Sequence, residues 1–373
     1  MNKQTLCSTA VRIMLIPVLA MISFLGTSRA AAMPFFEALP SLDAQVDKPT
    51  AVAVDGAGWV YVVESTGNRL RIFAQGGGQL AEITGLAKPI SAAVDDAGRI
   101  YVGSAWLGSV TVYDEGRREL FKLGGGNGEF GEPADIDLDA SGRVYVTDRT
   151  GNTIHIYSSS GQYLQSIGTP ATTPPAGDGQ LWRPTSLAID PASSELVVLD
   201  QQQTWDPYAG TWIDGARIQF FSMDGAFLRS YEKFGYAQNA GQLIKPAGVA
   251  VDSSSRVYVS DSRLQKIMVY DNTNTFLGMV DNSLAPLRTP MGMALSSTGR
   301  LYVAAMLAGR VDVFGLDDYE ALTDPGNAPP MKPKIKKPKD PRHGHGSKPK
   351  KDKKADSGAV RKTPILKGPR GTR

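Results

Sequence analysis

Residues 245–271 read KPAGVAVDSSSRVYVSDSRLQKIMVYD, and within them GVAVD, RVYVSD and KIMVYD each alternate apolar and polar side chains, with a turn cluster after each. Period-2 alternation over five or six residues is the mark of strands with one buried face. The pattern Pro-x-x-apolar-x-apolar-Asp recurs at Pro49, Pro89, Pro133 and Pro184 as well as Pro246, and a sixth copy at Pro290 has Ser296 in place of the aspartate. Each copy is followed by a second strand (WVYVVE, RIYVGS, RVYVTD, ELVVLD, RVYVSD, RLYVAA). A third strand then ends in an aromatic residue (RLRIF, SVTVY, TIHIY, RIQFF, KIMVY, RVDVF).

The repeats begin about 40 to 60 residues apart, the range of propeller blades with loop insertions. A single twisted sheet of this kind cannot cover both its faces, whereas a ring of them can. The sequence therefore predicts an all-β, six-bladed β-propeller of four-stranded blades over residues 33–323. Blades one to five each carry a fourth strand, such as QLAEITG at 79–85, but the sixth does not. PFFEALPSLD at 34–43 alternates like a strand and lacks a partner. It is expected to complete the last blade.

The YV(S/T)D second strands, the Pro-x-x-apolar-Ala-apolar-Asp openings and the loops GGGNGEFGEP (124–133) and AGDGQLWRP (176–184) closely resemble the NHL-repeat family of six-bladed propellers. The resemblance covers residues 34 to about 318. It implies the fold strongly and the function weakly, because such propellers serve as scaffolds, sensors, nucleic-acid binders and enzymes.

Residues 1–32 stand apart from the repeats. Lys3 and Arg12 precede the apolar run Ile13 to Leu25, and SRAAA follows, which reads as a secretory signal cut after Ala30 or Ala32. The rival reading, an uncleaved anchor, requires a run of about 20 residues, longer than this one, and the run contains Pro17. A periplasmic or secreted protein without a transmembrane span in its mature form is expected. The sole cysteine, Cys7, lies in the signal, so disulfide, thiolate-zinc and haem-attachment chemistry are excluded from the mature chain.

The net charge of +3 conceals a division. Residues 331–373 carry +13 and the propeller between signal and tail −13. The segment 324–373, rich in Lys, Pro and Gly, has too little apolar area to offset ordering entropy and is expected to be disordered. Its lysines, among them Lys334, Lys336, Lys337, Lys339, Lys350, Lys351, Lys353 and Lys354, are candidates to contact polyanions such as an anionic envelope surface. Nucleic-acid recognition by the acidic propeller is disfavoured.

Catalytic groups are scarce. His155 is the one histidine within the repeats, too few for the histidine clusters of related lyases or for a Ser/His/Asp arrangement. No cofactor, metal ligand set or catalytic residue is assigned, and the reading leans away from an enzyme. A metal-dependent, lactonase-like hydrolase or lyase using channel carboxylates is the alternative. Asp55, Asp95, Asp139, Asp190 and Asp252 form an apparent ring of ligands, but each precedes a turn sequence and is expected to cap it.

Loop length points elsewhere. Connections from second to third strands and from blade to blade emerge on one face, which carries the insertions at 169–183, 202–215 and 236–245. This face also gathers Trp106, Leu107, Trp182, Trp205, Tyr208, Trp212, Met306 and Leu307. Two readings stand: these side chains bind a protein or peptide partner, or they fold back to pack the long loops.

Overall fold

A computed structural model of the chain describes residues 33–34, 36–42, 45–124, 130–206, 210–232, 240–280 and 286–316. Among these are six antiparallel four-stranded sheets. Their innermost strands are Pro49–Val54, Pro89–Val94, Pro133–Leu138, Pro184–Ile189, Pro246–Val251 and Pro290–Leu295. Each neighbours the next, and the sixth returns to the first, which makes the array a closed ring. The chain is a six-bladed β-propeller.

The ring closes as the sequence predicts, over a shorter strand than the alternation suggested. Phe36–Leu39 pairs antiparallel with Arg310–Leu316, placing Phe36 opposite Leu316 and Leu39 opposite Val313. Backbone hydrogen bonds from Leu42 to Val311 and from Val46 to Gly309 continue the seam. Phe36 also packs edge-on against Phe314 of blade six and Tyr258 of blade five, at centroid distances of 6.2 and 6.1 Å. Opening the ring would therefore expose apolar surface as well as a sheet edge.

The core lies between blades. Ala93, Tyr101 and Val112 of blade two form one buried cluster with Ile136, Val144, Val146 and Tyr157 of blade three, and equivalent clusters recur around the ring. Second strands such as Val60–Glu64 and Val144–Asp148 are buried throughout, since both faces meet neighbouring sheets. Each such Val side chain contributes about 1.5–3 kcal/mol through its burial. Towards the axis the strands converge and space is short. A Cβ on Gly292 would lie 2.9 Å from the Cα of Ala51 in the next blade, so even an alanine here would force the two innermost strands to shift.

Two insertions expected as loops are instead partly ordered by pairing. The 202–215 segment continues the second and third strands of blade four as a two-stranded arm, with register running from Glu195 opposite Ser222 to Asp206 opposite Thr211. Thr204, Trp205, Thr211, Trp212 and Ile213 are β-branched or aromatic residues suited to a ladder. Within 169–183, Thr169–Pro170 pairs parallel with Gln180–Leu181. A single turn of 3-10 helix, Met306–Ala308, is the helical element among the described residues.

Candidate binding face and channel

The turn-capping role expected of the repeated aspartates is what they perform. Asp55 accepts the backbone N–H groups of Ala57 and Trp59 at 3.0 and 2.8 Å, and Asp95, Asp139 and Asp252 do the same in their blades. The second carboxylate oxygen accepts the hydroxyl of a second-strand tyrosine: Tyr61, Tyr101, Tyr145 and Tyr258. Burial, reinforced by that neighbouring carboxylate, pushes these phenols up where a shift is resolved, as for Tyr61, Tyr101 and Tyr145.

The acids ending the second strands hold loops on the opposite face. Asp148 accepts Gly131 and Glu132 N–H before its blade and Thr150 and Gly151 N–H after its strand. Against burial, the neighbouring His155 together with these backbone bonds brings its carboxyl down to about 2. Asp261 takes Ile244, Lys245, Arg263 and Leu264 in the same way. His155 is built into this framework: it lies 3.7 Å from Asp148, meets Ser166 Oγ at 3.2 Å and packs edge-on to Phe130. It is buried on a strand face and held on several sides.

Two residues that the sequence reading passed over stand out in the channel. At the third and fifth positions of the innermost strands the other five blades carry Ala, Ser or Gly, and at the fifth position always Ala. Blade three has Asp135 and Asp137 there, and the deviation of PADIDLD from its sister copies is the signal that marks them. Their carboxylates reach across to blade four. Asp135 accepts the Ser186 hydroxyl and the Leu187 N–H, and Asp137 accepts the Ile189 N–H at 2.9 Å. Leu187 and Ile189 point these donors to the same edge of their strand, so the two acids cover an otherwise unpaired strand edge. Burial pushes Asp135 up to about 7 and Asp137 up to about 6, against these hydrogen bonds. Among the described residues no three His, Cys, Asp or Glu side chains come together as a metal site.

The channel holds a cavity of about 230 Å³ bordered by Asp135 and Asp137. A second cavity of about 300 Å³ lies at its mouth on the looped face, with Arg149, Lys245, Met291 and Met306 in its walls. Beyond the mouth, Trp106 is 79% exposed, Leu107 56% and Leu307 62%, and Trp212 on the blade-four arm is 47% exposed. Met306 is half-buried in the cavity wall, and Trp182 is half-buried beside Asp200, to which its backbone N–H donates. Trp205 pairs in register with Trp212. The predicted residues thus belong to blades two, four and six and the passage from blade three to four, and among those whose side chains are described only Met306 enters the mouth. Tyr208 and the lysines of the tail lie outside the described residues, as does the signal segment.

No family model matches the chain. Over 150 residues, 40% of its length, it is 25% identical to Protein brain tumor of Drosophila melanogaster, and the match spans 12% of that protein. Among solved structures it is similar to XC5397 of Xanthomonas campestris, described as a gluconolactonase (TM-score 0.56, 16% identity, 78% of this chain and 92% of that one). Hydrazine synthase of Kuenenia stuttgartiensis gives a TM-score of 0.54 at 15% identity, covering 72% and 96% of the two chains. Virginiamycin B lyase of Staphylococcus aureus gives 0.52 at 12%, covering 76% and 100%. At such identities the likeness is one of fold. Among the described residues no helix is long and apolar enough to cross a membrane.

Proposed function

We propose that the chain is an exported binding scaffold of the NHL-repeat type, without catalytic activity, whose looped face engages a protein or peptide partner. The observation that carries this reading is the exposure of Trp106, Leu107 and Leu307 in short turns on a rigid ring, where no element among the described residues covers them. The repeat motifs and the partial match to Protein brain tumor support the family. In this proposal residues 1–32 direct export, residues 33–323 form the propeller, and the lysines of residues 324–373 hold the protein to an anionic surface. The test is crosslinking in the native envelope, comparing the full chain with Trp106→Ser and Leu307→Ser variants. Loss of the same crosslinked species from both variants is expected; identical crosslinking from all three would overturn the assignment of this face.

A second reading has its own support. Asp135 and Asp137 border the channel cavity side by side, and burial raises the pKa of both, an arrangement in which a carboxyl can serve as general acid or base. Turnover of lactones or esters that disappears in Asp135→Asn, with the fold intact, would establish a hydrolase in place of a scaffold.

A further inference from the structure

Two polar groups at the mouth of the channel are buried without hydrogen-bond partners. Arg149 reaches Glu132 at 3.5 Å, yet its Nε is buried without a hydrogen-bond partner. The Thr50 hydroxyl, in the same cavity wall, is likewise buried without one. Lys245 uses its backbone N–H and carbonyl to fix the loop, while its exposed side chain brings a second positive charge to the cavity. The acid nearest the floor, Asp135, is already engaged: one oxygen accepts Ser186 and Leu187, the other its neighbour Ile136. Buried polar groups left unmatched in a concave site call for a complementary ligand or ordered water.

The remaining wall is apolar, with Ile90, Met291 and Met306 contributing. Methionine walls adapt to side chains of differing shape. We propose that this mouth receives a carboxylate with an apolar body, and in particular the C-terminal residue of a peptide, its carboxylate set between Arg149 and Lys245. Two acids line the cavity with these two cations: Glu132 is paired with Arg149 and Asp135 is already engaged, while Lys245 has no ion-pair partner among the described residues. A single carboxylate therefore offers acceptors for the Lys245 ammonium, the Arg149 Nε and the Thr50 hydroxyl. A polyphosphate would meet the field of the −13 propeller before reaching them. A peptide is favoured over a free acid because Trp106, Leu107 and Leu307 outside the mouth supply contact for the residues that precede the terminus. The proposal rests on the reading of this face as the partner-binding one and specifies which group of the partner enters first.

The test uses the immobilised full chain and an equimolar mixture of hexapeptides ending in Leu, Val or Phe, each as free acid and as C-terminal amide, with retention read by mass spectrometry. At least tenfold enrichment of acids over amides is expected. Lys245→Gln, a surface change that leaves the core intact, and Arg149→Lys, which keeps the charge but loses the planar fork, should each reduce this preference several-fold. Competition by N-acetylleucine at equal concentration would assign the site to a free acid, and its failure to compete would assign it to a peptide terminus. Equal retention of acids and amides overturns the proposal. If Trp106→Ser still lowers that equal retention, the binding face survives and only the carboxylate pocket is lost. An acid preference unchanged in both cation variants also overturns it.

Discussion

Asp137 of the third blade accepts a hydrogen bond at 2.9 Å from the backbone N–H of Ile189 in the fourth, while its other oxygen accepts Leu138 N–H. The same site in every other blade is an alanine, which makes no such bridge. Asp135 repeats the contact one step up the strand, so a pair of carboxylates ties two innermost strands that would otherwise meet only through van der Waals contact.

That tie predicts an unusual pH dependence. Burial raises Asp137 from 3.8 to about 6 and Asp135 from 3.8 to about 7. The native state therefore holds these protons more tightly than the unfolded chain, and their contribution to stability is fully present below pH 3.8 and lost as pH rises through 6 to 7. Asp137→Asn removes the ionisation and keeps an acceptor for Ile189. Denaturant unfolding should show the variant gaining on the wild type between pH 4 and 7.5, by on the order of 1–3 kcal/mol. A difference that stays constant across this range would show that Asp137 titrates as it does in the unfolded chain.

Blade six offers a stabilising change. Ser296 caps its turn through Arg300 N–H at 3.1 Å, as the aspartates do elsewhere, but it has no second oxygen. Six residues on, the Tyr302 hydroxyl is consequently buried without a hydrogen-bond partner. In four other blades the equivalent tyrosine donates to the capping aspartate at 2.6 to 3.2 Å. Ser296→Asp should supply that acceptor and stabilise the fold by about 1 kcal/mol, a rise in Tm of about 2 °C for a domain of this size. Calorimetry of Ser296→Asp in a Tyr302→Phe background should show the gain disappear.

The repeat was legible because the blades restate it in chemistry that cannot be moved: a proline where the innermost strand begins, an acid where it turns in five of the six, an aromatic where the third strand ends. Closure was legible from an imbalance, one strand missing at one end and one spare at the other. The channel acids were visible in the letters of PADIDLD, but a search for what the copies share passes over what one copy changes. The mouth cavity was not legible. Thr50, Arg149, Lys245 and Met306 lie on four different blades and become neighbours only through the ring. The arm at 201–216 was hidden by its glutamines, which read as loop until Gln202 is seen exchanging two hydrogen bonds with Ala176.

The closing strand should behave as a latch. Phe36 is half-buried between Tyr258 and Phe314, so Phe36→Ala removes contacts that span blades five and six. A loss of about 1–3 kcal/mol in urea unfolding is expected, below the cost for a fully buried phenylalanine. Hydrogen exchange should also quicken first at Val311 and Val313, whose strand the latch covers. Uniform quickening around the ring would mean that the seam opens only with global unfolding.

The excursion from blade three to blade four is anchored by one buried guanidinium, that of Arg217. Arg217 is buried and bonds Asp200 through two nitrogens at 3.2 and 3.0 Å, and it also donates to the carbonyls of Ala176, Gly177 and Gln180. Burial pushes Asp200 up to about 6 despite this pairing. A buried charge stripped of its partner costs about 3–5 kcal/mol, whereas removing both charges together costs far less. Arg217→Met alone should therefore destabilise strongly, and Asp200→Asn added to it should recover a substantial part of the loss. The carbonyls released at 176–180 lose their anchor in both variants. Limited proteolysis within 169–183 should consequently accelerate in the single and the double variant alike, even as the double variant regains stability. Protease resistance that returns with stability would place the anchoring of this segment in Gln202 and Gln219 rather than in the guanidinium.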